Sequence, residues 1–173
     1  MSAATSADLA NLIRDIVELD TELKTLTVRE PDRYRIAPRP PATAADIATL
    51  RAAWKQPPPP SYVRLLMLHN GIDNFYWMDM PLLATADIAE QSTLADDYEL
   101  SHLLLFMAAE EWRAIGFDPT TADAEGEMAV AVCDKTGEHT RWPSLSAFLI
   151  GYRDRLAGWL ADAKKDRAAL DDD

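Results

Sequence analysis

The apolar positions of the first thirty residues recur at steps of three and four. Leu9, Leu12, Ile13, Ile16, Leu19 and Leu23 share one face of a helix. Thr5 and Asp8 stand at capping-box spacing just before that stripe and predict its start. "TLTVREPDRYRIAP" is β-branched and then broken by prolines, which predicts an extended connection with room for a short strand. "TAADIATLRAAW" repeats the first signal: Thr43 and Asp46 form a second capping box, and Ile47, Leu50 and Trp54 line one face. Pro57 stops this helix, because proline lacks the amide donor and clashes with the preceding turn. Pro60 or Ser61 opens the next. Tyr62, Val63, Leu65, Leu66, Met67 and Leu68 make it apolar on most sides, so it is expected to be largely buried. Asn70-Gly71 can supply the left-handed residue that closes it.

The four prolines of "PPPPSY" are thus flanked by two helices with their own start and stop signals and read as a stiff elbow between them. Pro57 and Pro60 also satisfy P-x-x-P, the spacing of a ligand for proline-binding domains, which would need an exposed polyproline helix. "NFYWMDMPLLATADI" predicts one or two short strands, and "ATADIAEQSTLADDYEL" a helix starting near Thr85 or Asp87. "HLLLFMAAEEWRAIGFD" is ambiguous: its composition favours a helix, while Leu103–Met107 and Trp112–Phe117 could pair as a hairpin. "EMAVAVCD" reads as a strand, bounded by Gly126 and by a turn at "DKTGEH". The last helix is capped by Ser144 and carries a stripe of Leu145, Phe148, Leu149, Tyr152, Leu156, Trp159, Leu160 and Ala163.

Charge changes this picture. The net charge of −12 argues against nucleic acid or an anionic membrane as the main partner. Residues 85–139 hold thirteen Asp and Glu against two Lys and Arg, whereas residues 24–72 hold eight bases against three acids. The acidity is therefore regional, either a solvated surface or a face suited to a cationic partner. Candidate carboxylates are Asp96, Asp97 and Glu99 in one group, and Asp118, Asp123, Glu125 and Glu127 in another. Phe75, Tyr76 and Trp77 are consecutive, so strand alternation should expose at least one of them as an anchor for a partner.

No apolar run approaches the ~20 residues of a membrane span, and the N-terminus shows no signal-peptide pattern. Cys133 is the sole cysteine, which fits a reducing cytoplasm. It lies among apolar residues of a predicted strand, and His69, His102 and His139 have no recognisable spacing to it. No metal-ligand spacing or phosphate-cradling loop is visible, so neither catalysis nor a cofactor is expected.

The order of elements resembles the SUKH superfamily of bacterial immunity proteins, to which yeast cell-wall-assembly regulators are related. The resemblance rests on Pro60, Tyr62, Leu66, Asn70, Gly71 and Trp77, then "PLLATADIAE", "LLLFMA" at Leu103–Ala108, "WRAIGFD" ending at Asp118, and Phe148 with Leu149 in the closing helix. It covers roughly Thr43 to Tyr152. The glycine-rich turn usual between the two central strands is replaced by Ala108-Ala109-Glu110-Glu111, and the first forty residues have no clear counterpart. The resemblance tips the ambiguous segment to a hairpin. It implies an α+β fold, with a small, mainly antiparallel sheet packed on several helices. Residues 1–42 would add a helix and connection to a domain spanning 43–173, in one compact unit. The function implied is neutralisation of a cognate protein toxin, with a basic nuclease suited to the acidic region. A non-catalytic regulatory scaffold is the alternative.

Overall fold

The structure is a computed structural model and describes residues 5–76, 80–88, 102–109, 113–134 and 137–171. Both capping boxes form. Helix α1 (Ser6–Thr27) starts at Thr5, whose hydroxyl accepts the Asp8 amide while the Asp8 carboxylate accepts the Thr5 amide. Helix α2 (Ala44–Trp54) repeats the arrangement with Thr43 and Asp46. It ends when Lys55 turns left-handed at φ 57°, two residues before Pro57. Pro60 opens helix α3 (Pro60–Leu68), and helix α4 (Leu145–Asp171) closes the fold. Ser144 caps α4 by accepting the Ala147 amide at 3.2 Å. Residues 85–88 form a helical turn; the rest of the helix expected there, to Leu100, lies outside the described residues.

Among the described residues seven strands make one antiparallel sheet, ordered as they occur in the chain. They are β1 (Ala37–Pro38), β2 (Ile72–Tyr76), β3 (Met80–Leu82), β4 (Leu104–Ala109), β5 (Arg113–Asp118), β6 (Ala129–Asp134) and β7 (Gly137–Trp142). The chain is α+β, as the sequence predicts. The segment of uncertain type is a hairpin: β4 pairs with β5 from Leu104↔Phe117 to Ala109↔Arg113. β7 was not expected as a strand. Its first five positions are exposed, so it lacks the alternation that marks a half-buried strand.

Helices cover one face of the sheet. Rings run through the core between them: Trp54 of α2 stacks on Tyr62 of α3 at 5.5 Å, and Tyr62 meets Phe106 and Phe117. Phe106 touches Phe148 of α4, which meets Tyr76, and Tyr76 lies 4.5 Å from Tyr152. Leu9, Leu12, Ile13 and Ile16 of α1 belong to this same core. On the opposite face Leu103, Leu105, Ala114, Ala131 and Cys133 form a second, smaller buried cluster. Leu103 and Leu105 lie so close over Gly116 that a Cβ there would come within 2.9 Å of Leu103 Cβ.

Asn70-Gly71 works differently from the expectation. α3 ends at Leu68 with His69 in an extended conformation, so Gly71 does not cap it. Gly71 does have a positive φ of 95°, but the demand comes from elsewhere: a Cβ would sit 2.9 Å from the Ala84 backbone nitrogen. Asn70 completes the junction by accepting the Thr85 amide at 3.0 Å. The prolines of the elbow are packed in part. Pro58 and Pro59 are buried and Pro57 is exposed.

α1 also carries two charges that hydrophobic periodicity does not register. Asp20 and Lys24 are both buried, with Lys24 Nζ 2.7 Å from Asp20 Oδ2 and 2.6 Å from the Tyr34 carbonyl it donates to. Burial pushes the Asp20 carboxyl up against the opposing pull of Lys24. The pair ties the end of α1 to the short 3-10 turn Pro31–Tyr34.

Candidate functional site

The carboxylates between residues 85 and 139 are the candidate surface, and the fold pairs most of the described ones with cations. Asp118 ends β5 and is buried. Arg141 of β7 donates to its Oδ2 at 2.7 Å, and Thr120 donates to its Oδ1 through both amide and hydroxyl. Burial pushes the Asp118 carboxyl up, but the hydrogen bonds from Thr120 and Arg141 outweigh it and hold the group below its ordinary value. The other side of the Arg141 guanidinium grips Glu138, at 2.9 Å from Nε and 2.6 Å from a terminal nitrogen. One arginine thus serves two acids.

Glu127 is spent on a helix. α3 begins Pro59-Pro60-Ser61 and has no side-chain cap of its own. Glu127 supplies one from a distant loop: its Oε1 accepts the Ser61 amide at 2.8 Å and its Oε2 accepts the Ser61 hydroxyl. Arg64 of the same helix donates to Oε1 at 3.1 Å. A carboxylate at this end also suits the positive end of the helix dipole. Asp123 shapes the loop itself, its Oδ1 accepting the amides of Glu125 and Glu127. Asp123 and Glu125 remain exposed.

Two more acids of the region are engaged. Asp87 receives Arg39 at 3.0 Å, and the same arginine donates to Asp73 on β2 at 2.7 Å. Asp134 lies 2.6 Å from His139. Arg39 and Arg64 both come from the basic 24–72 segment. The two charge blocks seen along the sequence therefore cancel in part once the chain folds. Nothing in the acids' own spacing signals this; the basic block was the available sign. Asp96, Asp97 and Glu99 lie outside the described residues.

Phe75 and Tyr76 are not surface anchors. They are 0% and 5% exposed, and both turn into the core. The expectation assumed strict alternation, but pairing with β3 shifts register between Ile72 and Tyr76, and Asn74 adopts φ 53°. That irregularity brings two consecutive rings to one side. The Tyr76 hydroxyl still accepts a hydrogen bond from the Arg155 guanidinium at 3.2 Å. Trp77 lies outside the described residues.

Cys133 is buried, and burial pushes its thiol up, as in an inert core cysteine. Among the described residues no group of three or more His, Cys, Asp or Glu is placed to hold a metal ion, and no helix is long and apolar enough to cross a membrane. The chain matches no protein-family pattern and no curated protein by sequence.

Proposed function

We propose that this chain is an immunity protein: a non-catalytic, cytoplasmic domain that binds and neutralises a cognate protein toxin. The observation that carries the reading is the run of elements from Pro60 to Leu149. Pro60 opens α3, and Tyr62 is buried within it among Trp54, Phe106 and Phe117. Asn70-Gly71 then leads into the aromatic strand β2, the β4–β5 hairpin ends at Asp118, and Phe148 and Leu149 are buried in the closing helix. These belong to the residues on which the SUKH resemblance rests; Trp77, another of them, lies outside the described residues.

The preference for a basic toxin is narrower than composition suggests. Among the described acids of the region, Asp123 and Glu125 are exposed and stand outside the ion pairs, while Asp87, Asp118, Glu127, Asp134 and the exposed Glu138 lie against Arg or His side chains. Coexpression with the toxin candidate encoded beside this chain tests the function. Rescue of growth, with a complex that co-elutes on size exclusion, is the expected result. A folded protein that neither rescues growth nor forms the complex sinks the proposal.

A further inference from the structure

The sheet has two edges. At one, β1 is two residues long and ends in Pro38, so it offers another strand almost no ladder. At the other, β7 runs for six residues, all exposed except Trp142, which is half-buried. Among the described residues nothing pairs with its outer side. An edge of that kind is a template for a second strand.

β7 is not regular, however. Its pairing with β6 passes from Val132↔Thr140 to Cys133↔Glu138, so His139 is an extra residue, a bulge. Asp134 Oδ2 lies 2.6 Å from His139 Nε2 and fastens the bulge to the neighbouring strand. Glu138, opposite Cys133, and Thr140, opposite Val132, already point to opposite faces. Removing His139 would therefore leave every other β7 side chain on its present face.

The shortened strand would be self-complementary. Run antiparallel to a second copy about Thr140, it sets Thr140 opposite its own counterpart. Glu138 of each copy then faces Arg141 of the other, on the same side of the sheet. Opposite charges and paired threonines are favourable cross-strand neighbours, and the arrangement has the two-fold symmetry of a dimer. The bulge breaks the regular spacing of edge amides and carbonyls that such pairing needs.

We propose that the His139 bulge, tied down by Asp134, guards β7 against pairing with a second copy of this chain. Sedimentation velocity on the full chain tests it with four proteins: wild type, the His139 deletion, and each of these carrying Thr140→Glu. Wild type stays monomeric. The deletion variant keeps the wild-type far-UV spectrum and self-associates at least about tenfold more tightly. Thr140→Glu sets like charges opposite each other at the two-fold and returns it to monomer. A folded, monomeric deletion variant overturns the proposal. So does a deletion dimer that survives Thr140→Glu, or a wild-type dimer that Thr140→Glu dissociates. Should the deletion block folding, Asp134→Ala decides. It keeps every residue of β7 but cuts the tie to His139, and self-association no tighter than wild type then overturns the proposal.

Discussion

Glu125 and Glu127 stand two residues apart on one loop and do different work. Glu127 completes the first turn of α3 through Ser61 and pairs with Arg64, whereas Glu125 is exposed. Glu127→Ala should cost about 1–2 kcal/mol, the range of a lost helix cap. Glu125→Ala should stay within about 0.5 kcal/mol, as surface changes do. Urea midpoints of the two variants check this, and equal midpoints would contradict the capping role. Asp118 gives a pH signature. Its folded pKa lies below the unfolded value of 3.8, so it binds its proton more weakly when folded. The stability it contributes is present above 3.8 and is lost as pH falls through the folded value. Urea unfolding followed from neutral pH into the acid range should show a steeper loss below 3.8 for wild type than for Asp118→Asn. Parallel curves would mean that Arg141 and Thr120 do not hold the carboxylate ionised.

Elements with periodic or bounded apolar runs were legible in the sequence, and the exposed edge strand was not. The stripes of α1, α2 and α4 and the two capping boxes could be placed because burial and hydrogen bonding act on fixed spacings. β7 was missed because Glu138, His139, Thr140 and Arg141 are all exposed, so no period-two signal marks it. Phe75 and Tyr76 were misplaced because a register shift is set by the neighbouring strand, not by the strand's own residues. The end of β7 also determines a residue on α4. Trp142 lies against Gly151, where a methyl group would be driven into the indole ring. Gly151→Ala would ordinarily gain up to about 1 kcal/mol of helix propensity. Here it should destabilise by about 1–3 kcal/mol through overpacking. Thermal melts of Gly151→Ala, Trp142→Ala and the double variant test the contact. The penalty of the alanine at position 151 should vanish once Trp142 is removed, and a penalty that persists would place the clash elsewhere.

At the scale of the whole molecule, the thirteen acids against two bases of residues 85–139 overstate how much bare negative surface the described part of that region presents. Arg39, Arg64 and Arg141 meet Asp87, Glu127 and Asp118 across long stretches of sequence, and Arg141 also takes Glu138 three residues away. A partner that reads the acidity of the 123–127 loop meets Asp123 and Glu125 at its exposed side. Glu125→Lys should then slow association about two- to fivefold at low salt and leave dissociation nearly unchanged, as rim charges do. Stopped-flow kinetics with the toxin identified by rescue, at low and high salt, measure this. Unchanged association would make that loop a solubility surface. The meander also sets a timetable for synthesis. Each strand pairs with its neighbour in sequence, so the sheet can zip up locally as the chain emerges. α1 cannot keep to that order, because it packs chiefly along α4, which is made only after the whole sheet. Until α4 is made, Leu9, Leu12, Ile13 and Ile16 therefore lack their final cover, which makes α1 the natural handle for a chaperone.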